Sequence, residues 1–143
     1  MRNFLTGALL VAVAGCAGYA LARPAAITAQ ENETLTIVWT SADPDVAHRM
    51  TLMYSHAART QGWFDEVTLV IWGPSQRLVV ADKDIRAKVL DMQADGVLVQ
   101  ACVVCADSFG IAEDLEALGI EVKGMGLPLT EYIKRDGTHV VTF

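Results

Sequence analysis

Strand-like and helix-like segments alternate from residue 35 to the last residue, and this alternation restricts the fold more than any other feature. Strands are indicated by short runs of β-branched and aromatic residues between turn-forming residues. Such runs occupy residues 35–40, 67–72, 97–101, 120–123 and 139–143. Strands separated by helices need crossover connections, which favour a mainly parallel sheet with helices on both faces.

Helix signals fill the intervals between these strands. Pro44 opens a helix that we expect to end near Gly62. Its core side should carry Val46, Met50, Met53 or Tyr54, and Ala57. Further helices are predicted for residues 82–94, for the stretch before Gly119 and for residues 128–134, while residues 78–80 are ambiguous. We therefore predict a flavodoxin-like three-layer α/β sandwich of about five mainly parallel strands.

The first 22 residues have a different pattern, and we interpret them as an export segment. Arg2 precedes an uncharged, apolar stretch at residues 4–22. Three outcomes stay open: cleavage after Ala22, lipid attachment at Cys16, or retention as a membrane anchor. Residues 23–34 would then be a linker before a domain at 35–143. We expect a periplasmic protein, soluble or lipid-anchored, that meets the membrane only through this segment.

Charge and motif content exclude several classes of partner. The chain has 11 Lys and Arg residues against 17 Asp and Glu residues, a net charge of −6. Without a basic cluster, nucleic acid is not an expected partner. No glycine-rich phosphate loop is present, so we expect no nucleotide cofactor. The Cys102-x-x-Cys105 pair would need two more ligands to hold a structural zinc, and no resident metal is predicted.

Residues at the carboxyl ends of the predicted strands should meet at one edge of the sheet, where ligands bind in such folds. Two thiols, a tryptophan, several hydroxyls and two glycines collect there. The candidate site-lining residues are Thr40, Ser41, Asp43, Trp72, Gly73, Ser75, Met125 and Gly126, together with Cys102 and Cys105.

The two cysteines carry the clearest chemical signal. If a helix begins near Val103, its backbone N–H groups stabilise a thiolate at Cys102, and Cys105 lies on the same face. Cys102 is then a sulfur nucleophile and Cys105 a resolving thiol. If the helix begins only at Asp107, the pair lies in a loop and loses this stabilisation. Two small core residues without reactivity are the alternative.

Several blocks in order also resemble the DsrE-like family. The resemblance covers essentially all of residues 35–143. It rests on the stretches Val38-Trp39-Thr40-Ser41-Ala42-Asp43-Pro44, Gly62-Trp63-Phe64-Asp65-Glu66-Val67, Trp72-Gly73-Pro74-Ser75, Ala101-Cys102-Val103-Val104-Cys105-Ala106-Asp107, Leu118-Gly119-Ile120-Glu121-Val122 and Met125-Gly126-Leu127-Pro128-Leu129-Thr130.

This resemblance implies a flavodoxin-like sheet, homo-oligomers that are often trimers or hexamers, and sulfur handling. It also implies that Cys102 matches, by its place at a strand end, the cysteine that carries persulfide sulfur in characterised relays. Cys105 and the export segment depart from those relays, which are cytoplasmic. We therefore expect a sulfur carrier or sulfurtransferase-like protein whose partner is a sulfur donor, acceptor or small thiol. The alternatives are an envelope thiol–disulfide or metal-binding protein, and a non-catalytic oligomeric binding module.

Overall fold

The computed structural model describes residues 33–143, which form one five-stranded sheet flanked by helices. The strands are β1 (Thr34–Trp39), β2 (Glu66–Ile71), β3 (Leu98–Cys102), β4 (Glu121–Lys123) and β5 (Thr138–Thr142). Their order is β4-β3-β2-β1-β5, and every neighbouring pair is parallel. The predicted α/β sandwich with about five strands is confirmed. The predicted export segment, Cys16 and most of the 23–34 linker lie outside the described residues.

Helices occupy the predicted intervals. They are α1 (Pro44–Val46), a π-helical turn (Ala47–Thr51), α2 (Leu52–Thr60), α3 (Ser75–Ala81), α4 (Lys83–Ala94), α5 (Val103–Phe109), α6 (Ala112–Ala117) and α7 (Gly126–Lys134). The ambiguous residues 78–80 belong to α3. Among residues 33–143, none of the helices combines the length and the hydrophobicity that a membrane span requires.

The first helical stretch buries a different face from the one predicted. Met50 is 41% exposed and Ala57 is half-buried, whereas Ala47, Leu52 and Ala58 are fully buried. The π-helical turn explains the shift, because the N–H of Leu52 bonds to the carbonyl of Ala47, five residues back. One extra residue per turn rotates the following residues away from a regular helical pattern.

The two faces of the sheet are covered unequally. Leu35, Ile37 and Leu69 point into the main apolar core, which is shared with side chains from α2 to α6. The opposite face carries Val70, Cys102 and their neighbours, and among the described helices it meets α7. Right-handed crossovers account for this arrangement. The chain steps in one direction from β1 to β4, and it reverses across the sheet only to reach β5.

Candidate functional site

Cys102 lies at the junction between β3 and α5. It is the last residue of β3, and α5 begins at Val103, so Cys102 is the N-terminal cap residue in an extended conformation (φ −74°, ψ 115°). The strand brings Cys102 to the carboxyl edge of the sheet, and the helix begins at the earlier of the two starts considered from the sequence. Both Cys102 and Cys105 are free thiols.

The environment of Cys102 is mostly apolar. Its side chain is only 5% exposed and packs with buried Val70 and Met125. Trp72 and the partly buried Cys105 pack against the same cluster. Three predicted site residues, Cys102, Trp72 and Met125, therefore lie together with Cys105. This apolar wall keeps bulk water from the Cys102 sulfur.

Cys105 is held next to Cys102 by the first turn of α5. Burial raises the pKa of the Cys105 thiol, the interaction with Cys102 raises it further, and the backbone N–H of Gly73 lowers it. Gly73 follows β2 and has φ +70°, which an L residue with a side chain rarely adopts. The turn at Gly73 thus delivers a backbone donor to Cys105. The net effect keeps Cys105 protonated at neutral pH, where it can donate a hydrogen bond to Cys102.

Gln76 joins the two strand ends beside the thiols, and the sequence reasoning missed it. Its side chain is fully buried on α3. Its Nε2 donates to the carbonyl of Ile71 at 3.0 Å and to the carbonyl of Cys102 at 2.9 Å. The signal available in the sequence was a polar residue in the first turn after β2, but residues 78–80 could not be assigned to a helix.

A polar network lies on the α7 face, two residues before Cys102 along β3. Tyr132 donates its hydroxyl to Oε1 of the buried Gln100 at 2.9 Å. Gln100 donates from Nε2 to Oε2 of Glu121 at 2.7 Å, and Lys123 donates from Nζ to the same oxygen at 2.9 Å. These two donors, Lys123 first, lower the pKa of the Glu121 carboxyl. The sequence reasoning missed this network because it joins α7, β3 and β4.

The predicted hydroxyls at the end of β1 are used in local backbone contacts. Thr40 donates its Oγ1 to the carbonyl of Phe143 at 3.0 Å, and Ser41 accepts the N–H of Asp43 at 3.1 Å. The Asp43 carboxylate caps α1 by accepting the N–H groups of Asp45 and Val46. Thr40, Ser41 and Asp43 therefore organise the β1–α1 connection.

Ser75 and Gly126 complete the predicted edge. Ser75 is buried and donates its Oγ to the carbonyls of Trp39 at 2.6 Å and Trp72 at 3.2 Å, which joins the ends of β1 and β2. Gly126 is exposed and is the first residue of α7, where its carbonyl accepts the hydroxyl of Thr130 at 2.8 Å. Both residues lie at the carboxyl edge, where Ser75 bonds to backbone carbonyls and Gly126 accepts a side-chain hydroxyl.

Two of the three histidines, His56 and His139, contact charged side chains and neither cysteine of the thiol pair. His56 contacts Asp95 at 2.6 Å through Nε2 and Lys88 through Nδ1. His139 lies 3.7 Å from the Glu33 carboxylate. Within residues 33–143, no group of three or more His, Cys, Asp and Glu side chains is arranged to hold a metal ion.

Comparison with known proteins assigns the chain to a family. The model of the DsrE/DsrF-like family matches residues 33–143. The chain belongs to the DsrE/DsrF-like family. This family is generally associated with sulfur relay. The match begins two residues before the predicted domain and runs to the last residue, so it includes both thiols, Gln76 and the polar network.

Two solved structures resemble this DsrE/DsrF-like chain. A conserved protein of unknown function, BT1422 from Bacteroides thetaiotaomicron, is 35% identical, with a TM-score of 0.75 over 80% of this chain and 98% of that one. The ychN protein from E. coli is 17% identical, with a TM-score of 0.61 over 79% of this chain and 100% of that one. The second likeness shows the fold alone. No curated protein matches the sequence.

Proposed function

We propose that this DsrE/DsrF-like protein is a sulfur carrier in which Cys102 bears a persulfide and Cys105 assists. One observation carries the proposal: a buried thiol at the end of β3 has a second, protonated thiol against it. The neighbouring thiol can stabilise negative charge on the Cys102 sulfur and can later attack a sulfur bound there. Family membership supports the choice of sulfur chemistry over other uses of a dithiol.

Loading begins with the thiolate of Cys102. It attacks the sulfane sulfur of a donor, a new S–S bond forms at Cys102, and the donor's bond to that sulfur breaks. The leaving group takes the electron pair, and the proton of the Cys102 thiol passes to solvent or to that group. The apolar cluster with Val70 and Met125 limits hydrolysis of the persulfide, and the Cys105 S–H can donate to it.

The sulfur bound to Cys102 can leave by two routes. An acceptor thiolate can attack the outer sulfur, which restores Cys102 as a thiolate. Alternatively, Cys105 attacks the inner sulfur, so that a Cys102–Cys105 disulfide forms and hydrosulfide leaves with the electron pair. A thiol reductant must then supply two electrons and two protons to restore the dithiol.

Thiol–disulfide exchange is the second candidate function, and the contact between the two thiols favours it. A reagent disulfide would accept the two electrons and two protons that the Cys102 and Cys105 thiols give up when they join as a disulfide. Intact mass after treatment with a sulfur donor separates the two functions. The carrier gains one sulfur atom in the Cys105→Ser variant and none in the Cys102→Ser variant. Loss of two hydrogens in the unsubstituted protein, together with no sulfur gain in the Cys105→Ser variant, would instead support the exchange function.

We further propose that the protein self-associates, in a trimer or hexamer as its family suggests, and that it acts after export. Met53 and Trp63 are 56% and 54% exposed on the first helical stretch and the turn after it, and exposed apolar groups of this size favour an interface. Light scattering at micromolar concentration should give a multimer mass, and a monomer mass would contradict this.

Cell fractionation should place the protein outside the cytoplasm, and full-length protein free in the cytoplasm would contradict export.

A further inference from the structure

A lysine lies beside the proposed sulfur carrier, and no step of the proposed function uses it. β3 and β4 pair so that Cys102 is opposite Lys123, and Gln100 is opposite Glu121 two residues earlier. The 2.7 Å hydrogen bond between Gln100 and Glu121 shows that opposite residues on these strands share a face and touch. Neighbouring strands lie about 4.8 Å apart. The side chain of Lys123 therefore begins next to that of Cys102.

The ammonium of Lys123 is held by a partly exposed ion pair. It now donates to Oε2 of Glu121 at 2.9 Å, and its side chain is 34% exposed. Ion pairs as exposed as this one contribute little to stability, so breaking it costs little. Glu121 would keep the hydrogen bond from Gln100 on the same oxygen. The four-carbon stem of a lysine can then turn the charge toward Cys102.

A negatively charged donor at Cys102 needs such a partner. Cys102 is only 5% exposed and packs against Val70 and Met125. An anion that approaches this cluster loses hydration, and an unpaired charge in apolar surroundings is costly. The ammonium of Lys123 offsets that loss, whereas a neutral donor gains nothing from it.

We propose that Lys123 binds the negative charge of an anionic sulfur donor at Cys102, and that the donor is a small sulfur oxyanion of the thiosulfate type. This inference rests on the proposed function. Cys102 attacks the sulfane sulfur of the anion, and the S–S bond of the donor breaks. Sulfite leaves with the electron pair and takes up the thiol proton, which gives a Cys102 persulfide anion and hydrogen sulfite. Lys123 holds the oxyanion while this charge moves.

Two alkylating agents that differ in charge test the role of Lys123 without sulfur chemistry. Iodoacetate and iodoacetamide both form an S–C bond and release iodide, but only the first is an anion. The rates are measured at Cys102 by peptide mapping in the full-length Cys105→Ser protein. Lys123→Ala should lower the ratio of the iodoacetate rate to the iodoacetamide rate about three- to tenfold, the effect of one charge that comes within about 4 Å of the reagent in a water-exposed site. Lys123→Arg should restore the ratio.

The control and a second arm complete the test. Lys134→Ala removes the same charge from the exposed end of α7 and should leave the ratio unchanged. Sulfur loading is then measured with thiosulfate and with a neutral organic trisulfide, and Lys123→Ala should slow only the first. An unchanged alkylation ratio, or equal slowing with both donors, overturns the proposal. A lower ratio in a protein that takes sulfur from neither donor supports anion binding by Lys123 and refutes the sulfur-carrier function.

Discussion

Replacement of Gln76 by leucine tests whether one buried amide holds the strand ends together beside the thiols. Gln76 is fully buried, and its Nε2 donates at 3.0 Å to the carbonyl of Ile71 and at 2.9 Å to that of Cys102. Leucine occupies a similar volume and donates neither hydrogen bond. The substitution therefore separates the loss of these two bonds from the loss of packing.

The structure sets the size of the effect. The loss of one hydrogen bond lowers the free energy of unfolding by about 1 kcal/mol net. A buried carbonyl that is left with no donor at all lowers it by about 1–3 kcal/mol. Leucine also removes the Gln76 Oε1, which is buried without a partner. The removal of this unsatisfied acceptor offsets part of the loss in unfolding free energy. We expect Gln76→Leu to lower the free energy of unfolding by about 2–4 kcal/mol. That is a large share of the roughly 5–15 kcal/mol typical of natural domains.

Urea denaturation measures this loss, and Gln93→Leu is a matched control. Gln93 also has a buried Oε1 without a partner, but its Nε2 donates a single bond, at 3.0 Å, to the carbonyl of Gly119. The control should lose about 1 kcal/mol. In Gln76→Leu, alkylation of Cys102 under native conditions should also accelerate, because the end of β3 opens more often. Equal losses of unfolding free energy in the two variants, with unchanged alkylation of Cys102, would show that Gln76 does not hold the strand ends together.

Three further outcomes follow from the site. Gly73→Ala should lower the free energy of unfolding by about 1–2 kcal/mol, because φ is +70° there; an unchanged urea midpoint would count against that strain. Tyr132→Phe should cost about 1 kcal/mol in the same assay, since the hydroxyl donates to buried Gln100, and no loss would argue that the bond contributes nothing. The raised pKa of Cys105 means that the unfolded state releases this proton at lower pH than the folded state. Stability should therefore fall as the pH rises above the ordinary thiol pKa, and Cys105→Ser should remove that part of the fall; a pH titration of the unfolding free energy in which the variant falls as steeply would contradict it.

Local signals were sufficient for most of the fold. The strand runs and the Pro44 and Gly62 boundaries predicted the elements to within a residue or two, because each element is set by nearby residues. Residues 78–80 were ambiguous, since Leu-Val-Val also favours a strand locally. They form a helix because Val79 then packs into the core from α3. Tertiary packing here overrides the local strand preference. The prediction of the buried face of the first helix was wrong, because no local sequence pattern indicated the π-helical turn.

The candidate site could be predicted only in part. The spacing of Cys102 and Cys105 and the strand before them indicated adjacent thiols at a helix start, and the structure places them there. Gln76 and the network from Tyr132 to Lys123 could not be found, because they depend on the register of β3 against β4 and on where α7 crosses the sheet. Such contacts join residues that are far apart in sequence, and the spacing of residues along the chain does not predict them.

The most direct test of the account is where the first sulfur atom goes. Full-length protein with free thiols is exposed briefly to a sulfur donor, trapped with a neutral alkylating agent and mapped by peptide mass spectrometry, with the Cys105→Ser and Cys102→Ser variants alongside. We expect an alkylated persulfide at Cys102 in the unsubstituted protein and in Cys105→Ser, and none in the Cys102→Ser variant. A persulfide found first on Cys105, or sulfur uptake that survives in Cys102→Ser at residues 33–143, would contradict it.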